Sequence, residues 1–406
     1  MNSNRVVLIY PTQSILERFI PLAQKYDDFL FIIDKTNRLN YKHTILCDFE
    51  NSFEESVAKC KDVLGPKAAF FALNEFFLPL VNKLNYHFQS QDLTHFSPLR
   101  SKTEMKKEFL KSSLNTSKTL HTVSMGESVP KNLALQYPVI IKPVAAMASA
   151  GVKLVHSIDQ LLDQARKISL LNLTLPKEDS QGSILIEEFI DGNEYAVDTL
   201  WQNGKPIFHG ILARNNCNGP YFPDRLYYQD PHLPKELTVM LRETAEGAAR
   251  AINVMTGASH TEIKIRDGIP YIIETTNRPG AAGLFLELFG SAYGYDLVDT
   301  YYQLVSGKSC KFEFNLPREC THGFLLNFPM GSKRGVIAKI EGVDALKARP
   351  EVFKLILEKG VGDRIEAEEI SLSYFAYLLA NTLDDTVGGL DRQVNEYLNM
   401  FKFEIR

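Results

Sequence analysis

No G-x-x-x-x-G-K-[ST] segment occurs in this chain, and no G-x-G-x-x-G follows its first apolar strand. Those absences exclude a Walker-type phosphate loop and an ordinary dinucleotide fold. Cysteine is scarce. Five residues in 406 (Cys47, Cys60, Cys217, Cys310, Cys320) form an odd set with no C-x-x-C pair. That points away from a disulfide framework or a zinc cage and toward a reducing compartment. Excess positive charge is lacking too: the net charge is −4, so no basic field gathers nucleic acid or anionic lipid. No apolar run approaches the roughly 18 residues that span a bilayer. The short apolar stretch before Pro11 is too brief for a secretion signal, so the N-x-S/T matches at Asn115 and Asn172 read as chance. What is present is an ordinary globular balance, 45% hydrophobic and 23% charged. The expectation is a soluble, cytoplasmic protein acting on small molecules, without a nucleic-acid or membrane partner. The length suggests about two or three domains.

The first hundred residues alternate strand and helix patterns. Arg5–Tyr10 (RVVLIY), Phe29–Ile33 and Ala68–Ala72 read as strands; Ser14–Lys25, Ser52–Val63 and Glu75–Leu84 read as helices. Such alternation implies a parallel sheet, with a boundary at His95–Pro98. A helix is expected over Lys102–Lys111. Strands at Val139–Lys142 and Val152–His156 flank a loop of small residues. Ile184–Phe189 and Glu194–Leu200 are consecutive strands separated by Asp191-Gly192, a hairpin-type turn signal. A long helix, Lys235–Met255, precedes a further hairpin, Ser259–Ile265 and Pro270–Glu274, turning at Asp267-Gly268. Beyond Phe312 strand and helix signals mix. No internal repeat is visible.

The hairpin HTEIKIRDGIPYIIETTNRPG carries the strongest chemical signal. Its turn sets Glu262 and Glu274 opposite or diagonal on adjacent strands. Facing carboxylates repel unless a cation lies between them, and hard oxygen ligands suit Mg²⁺. Two solvated surface glutamates are the plain alternative. Arg278 follows in a loop and offers planar donors to phosphate or carboxylate. Lys142 ends an apolar strand, and the small residues of Ala145–Gly151, with the Ser149 hydroxyl, would let backbone N–H groups approach a phosphate; a plain loop reads equally well. In ILIEEFIDGNEYAVDTL, Glu187 and Glu188 interrupt an apolar strand, and Glu194 follows a short turn later. A connecting strand between two lobes could offer backbone groups to an adenine edge.

Taken in order, these segments resemble the ATP-grasp superfamily of carboxylate–amine ligases. The resemblance covers most of the chain, most specifically Pro98–Ser306. The tail GVIAKIEGVDALKARPEVFKLILEKGVGDRI is similar to the C-terminal domain of bacterial L-amino acid ligases, which join amino acids into dipeptides. The implied fold is α/β (α+β): an N-terminal parallel α/β pre-domain over 1–97, an ATP-grasp region over 98–307 with a mobile lid over about 118–187, and a C-terminal α+β domain over 308–406.

The resemblance also implies roles. Lys102 and Lys142 would meet the nucleotide phosphates. Ser149 and Gly151 would belong to the phosphate-covering loop, which Ala148 and Ala150 leave poorer in glycine than in many relatives. Glu187, Glu188 and Ile190 would hold adenine, and Glu194 the ribose. Glu262 and Glu274 would hold two Mg²⁺ ions, with Mn²⁺ as an alternative. Arg278 would meet the γ-phosphate and acyl phosphate, and Arg214 the transferring phosphate. The usual motif has Asn two residues after the second glutamate; here Thr276 stands there and Asn277 comes one step later. Alternate strand residues face opposite sides, so Asn277 acts as a metal ligand only if the strand has ended or bulges; otherwise Thr276 supplies the oxygen. Glu75, Arg225 and His260 are substrate-binding candidates, each with a structural reading beside it. The expected reaction joins a carboxylate to an amine through an acyl phosphate, releasing ADP and phosphate and forming a dipeptide or related amide. Alternatives are another ATP-grasp branch (purine-type or D-alanine ligase-like) and an ATP-binding protein with weakened catalysis. A homodimer is expected from relatives.

Overall fold

The computed structural model describes residues 4–88, 100–124, 126–173, 182–215, 220–316, 321–331, 334–367, 374–384 and 386–406. The expected boundary at His95–Pro98 lies outside these residues, as do Cys217 and Cys320. The N-terminal unit runs β1 (Arg5–Ile9), α1 (Gln13–Lys25), β2 (Phe29–Asp34), β3 (Thr44–Leu46), α2 (Phe53–Leu64), β4 (Ala69–Phe71) and α3 (Leu78–His87). Its sheet, in the order β3-β2-β1-β4, is parallel throughout, as the alternation predicts. The three-residue β3 carries too few residues to show a period and went unread.

Next comes α4 (Lys102–Lys111), then a small antiparallel sheet of β5 (Thr119–Val123), β6 (Val139–Pro143), β7 (Lys153–Val155) and β8 (Ile184–Glu188), backed by α5 (Ile158–Asn172). The caps are local. The Ser101 hydroxyl accepts from Glu104 N at the start of α4, and the Ser157 hydroxyl accepts from Gln160 N at the start of α5.

The largest sheet draws on β9 (Asn193–Gln202), β10 (Lys205–Arg214), β11 (Leu226–Tyr228), then, beyond α6 (Lys235–Ala251), β12 (Gly257–Arg266) and β13 (Ile269–Thr276). Helices α7 (Leu284–Tyr293) and α8 (Leu297–Val305) follow. The remaining elements are β14 (Gly323–Asn327), β15 (Gly335–Glu341), α9 (Val343–Lys347), β16 (Val352–Leu357), β17 (Arg364–Ile365), β18 (Ala376–Asn381), α10 (Val387–Met400) and β19 (Lys402–Ile405). Eight antiparallel strands join in the order β13-β12-β9-β10-β11-β14-β18-β16, and β17-β15-β19 form a separate sheet. Helices α7 and α8 cover one face of the large sheet, where Phe208, Phe285, Phe289 and Tyr302 are buried together with residues of α1 and β1. Among the described residues no helix is long and apolar enough to cross a membrane.

One expectation fails. β8 and β9 are not a hairpin: β8 pairs with β5 and β6, while β9 pairs with β10 and β12. Asp191-Gly192 turns the chain from one sheet into another. Gly192 has φ 110°, and a Cβ there would lie 2.0 Å from the Ile265 carbonyl oxygen. The glycine serves a close crossing rather than a hairpin loop.

Candidate active site

A cleft of about 680 Å³ opens where the small β5–β8 sheet, the β12–β13 hairpin and the N-terminal sheet meet, with Tyr374 and Tyr377 from the C-terminal third on its wall. Glu262 on β12 and Glu274 on β13 are direct cross-strand partners. A register shift makes them so. Ile263 faces Ile272 and Glu262 faces Glu274, so Ile273 is an extra residue on β13. Without that bulge Glu262 would face Ile273.

The two carboxylates differ electrostatically. Burial raises the pKa of Glu274, and the nearby charges of Glu75 and Glu262 raise it further, against the pull of Lys102. Glu262 is half-buried, yet His260 and the charge of Arg214 hold it down at about 2. His260 is itself held. Its Nδ1 lies 2.7 Å from Asp198 Oδ1 and its Nε2 3.6 Å from Glu262 Oε1. Burial opposes its charge, but those two carboxylates raise its pKa to about 9. Asp198 Oδ2 also accepts from Gly280 N at 2.8 Å. His260 thus lines the cleft while both its ring nitrogens face carboxylates. Asp198 was missed because an acidic residue within an apolar strand gives no spacing signal of its own.

β13 ends at Thr276, and Glu274, Thr276 and Arg278 all line the cleft. Asn277, expected as a metal ligand, is not among the residues that line the cleft, whereas Thr276 is. The Thr276 hydroxyl is buried without a hydrogen-bond partner. An orphaned buried oxygen beside two facing carboxylates is the donor set a hard divalent cation takes, so the residues present fit Mg²⁺.

Cations sit opposite. Lys102, at the start of α4, reaches Glu274 Oε1 at 2.7 Å and the Ala146 carbonyl at 3.1 Å. Lys142, at the end of β6, reaches Glu187 Oε2 at 2.7 Å. The carboxylate of Glu187 thus faces lysines. Glu188 accepts from Lys118 N at 2.8 Å, and the Ile190 carbonyl accepts from Lys264 at 3.1 Å. Glu194 pairs with Arg214, which also meets Asp224 Oδ1 at 2.8 Å. Arg278 pairs with Glu75 at 2.5 Å, and both line the cleft. Ala148 and Ser149, both with positive φ, line the cleft. Gly151 closes that loop with φ 77°, against Leu171 and Pro143. Arg225 does not line the cleft; its guanidinium donates to the Asn327 carbonyl at 3.2 Å. Tyr227, on β11, does line it.

Sequence reasoning also missed Asp224, Lys106 and Lys264. Lys106 carried a usable signal: it follows Lys102 by one helical turn on the face of Met105 and Phe109, both buried. The cleft as a whole alternates cations and carboxylates, so its charges are largely balanced internally.

Residues 135–285 match the family model described as "ATP-grasp domain". The solved L-amino acid ligase of Bacillus licheniformis superposes with a TM-score of 0.82 over all of both chains, at 21% identity. The carbamoyl phosphate synthase large chain of Caldanaerobacter subterraneus subsp. tengcongensis is 21% identical over 280 residues, 68% of this chain and 25% of that one. The D-alanine–D-alanine ligase of Flavobacterium psychrophilum is 29% identical over 161 residues, 38% of this chain and 45% of that one. The chain thus spans less than half the length of these two curated relatives. Residues 135–285 thus match an ATP-grasp domain, and the chain as a whole shares its fold with an L-amino acid ligase.

Proposed function

We propose that this protein is an ATP- and Mg²⁺-dependent ligase that joins an amino-acid carboxylate to an amine, forming a dipeptide or related amide. The observation that carries the reading is the placement of Glu262, Glu274, Thr276 and Arg278 along one wall of a cleft that also holds Lys102 and Lys142. The likeness to an L-amino acid ligase and a D-alanine–D-alanine ligase supports amino acids as substrates.

In this reading a carboxylate oxygen attacks the γ-phosphorus of ATP, and ADP leaves. The amine nitrogen then attacks the acyl carbon of the acyl phosphate, phosphate leaves, and the nitrogen loses a proton. Glu262, Glu274 and Thr276 would hold Mg²⁺, which when bound neutralises phosphate oxygens. Lys142 and Lys102 supply charge where the phosphates lie, exchanging their present carboxylate partners for phosphate oxygens. Arg278 presents a planar fork to the transferring group. The Asp198–His260 pair keeps Glu262 ionised and aimed. Ala148 and Ser149 border the cleft from the small sheet, whose closure would exclude water from the acyl phosphate.

The test is phosphate release from ATP and Mg²⁺ across pairs of amino acids, with mass spectrometry of the products. Phosphate release with a new amide mass is the expected result. Glu274→Ala is expected to abolish turnover; normal phosphate release from that variant would sink the assignment of the carboxylate pair. Turnover only with non-amino-acid carboxylates would move the protein to another branch.

A further inference from the structure

Lys106 has no place in the reaction above, yet it is 4% exposed and fully engaged. Its ammonium reaches the Ser117 carbonyl at 2.7 Å, the Ser117 hydroxyl at 2.5 Å and Glu187 Oε1 at 2.5 Å. The other oxygen of the same carboxylate, Oε2, is taken by Lys142 at 2.7 Å and by the Ser117 hydroxyl at 2.9 Å. One buried carboxylate thus serves two buried lysines. The two are not equivalent: Lys142, Glu187 and Ser117 line the cleft, whereas Lys106 lies behind it.

A buried carboxylate stripped of its cation is costly. Lys142 can exchange Glu187 for a phosphate oxygen only if Glu187 keeps another partner. We propose that Lys106 is the permanent counter-ion of Glu187, a positioning residue that frees Lys142 to meet the nucleotide phosphates. Burial, and then the charge of Lys142, lower the pKa of Lys106 to about 8. The two ammonium groups therefore share the carboxylate under mutual repulsion, which the departure of Lys142 toward an anion relieves. This inference rests on the nucleotide reading of the cleft, but not on which amide is made.

The test is calorimetric titration of the full chain with ATP and Mg²⁺, without other substrates. The variants are Lys106→Met, Lys106→Arg, Glu187→Gln and the double variant Lys106→Met with Glu187→Gln. Lys106→Met should weaken ATP binding by about tenfold or more, because Glu187 then holds Lys142 alone. Lys106→Arg keeps the charge and should stay within about threefold of wild type. In the Glu187→Gln background, Lys106→Met should change nothing further, since no charge remains to be compensated. Equal losses in both backgrounds would overturn the proposal, as would an unchanged affinity in Lys106→Met. Should Lys106→Met fail to fold, the two Glu187→Gln proteins decide: equal affinities support the role and a loss overturns it. A wild type that does not bind ATP removes the nucleotide reading and this proposal together. ATP binding without amide formation removes only the ligase reading.

Discussion

Thr276 stands where most of its chemistry is set by direction rather than identity. Its hydroxyl shares the face of Glu274 and is buried without a partner, while Asn277 is not among the residues lining the cleft. Thr276→Val should therefore raise the Mg²⁺ concentration for half-maximal ATP turnover by about tenfold, the loss of one buried ligand contact. Thr276→Asn, which supplies an amide oxygen from the same position, should support turnover. Asn277→Ala should leave the Mg²⁺ requirement unchanged. A strong Mg²⁺ defect in Asn277→Ala, with none in Thr276→Val, would reverse the assignment. The magnesium titration of these three proteins reads the question directly.

At the scale of elements, two segments make testable claims. The passage from β8 to β9 carries the chain between sheets through Gly192, where a Cβ would meet the Ile265 carbonyl oxygen at 2.0 Å. Gly192→Ala must push β9 off β12 or distort the turn. We expect a loss of stability of about 2 kcal/mol or more, measured by urea unfolding followed through Trp201, the chain's single tryptophan, which is buried on β9. Strand β10 carries His209, whose Nε2 lies 3.1 Å from Glu246 on α6. Burial, aided by Arg242 and Arg250 and opposed by Glu246, lowers its pKa from 6.5 to about 4. The folded protein thus keeps His209 neutral where the unfolded chain would protonate it. The resulting stability is complete above pH 6.5 and is lost as the pH falls through 4. Wild type should lose about 3 kcal/mol from this source between pH 7 and pH 4, and His209→Gln should show a correspondingly flatter profile. Parallel profiles for the two proteins would refute it.

At the scale of the whole molecule, the last hundred residues matter to the large sheet. β14 pairs with the three-residue β11, and β18 and β16 continue outward from it. Leu226 of β11 packs in a core with Phe324, Leu326, Phe375 and Tyr397. A chain ending at Gly307 would leave β11 as an exposed edge beside an uncovered apolar face. It should aggregate rather than yield a monomer that binds ATP; a soluble, ATP-binding fragment in size-exclusion chromatography would show that the C-terminal quarter is an independent unit.

Periodicity and spacing alone determined a good deal of this protein. The parallel N-terminal sheet, the span of α4 and the β12–β13 hairpin were legible because alternation, capping and a two-residue turn act within a few residues. The same locality put Glu262 and Glu274 opposite or diagonal, and the bulge at Ile273 made them direct partners; the other charged residues of the cleft were nameable from the family resemblance. What lay outside reach depends on contacts distant in the chain. Asp191-Gly192 has the local chemistry of a hairpin, but which strands β8 and β9 pair with is settled by separate sheets. Whether Thr276 or Asn277 faces the cleft turns on where β13 ends. The partners Asp198, Asp224 and Lys106 are ordinary charged residues until folding buries them against His260, Arg214 and Glu187. Only the tertiary structure decides those pairings, because a buried charge is tolerable solely where the fold brings its counter-charge within reach.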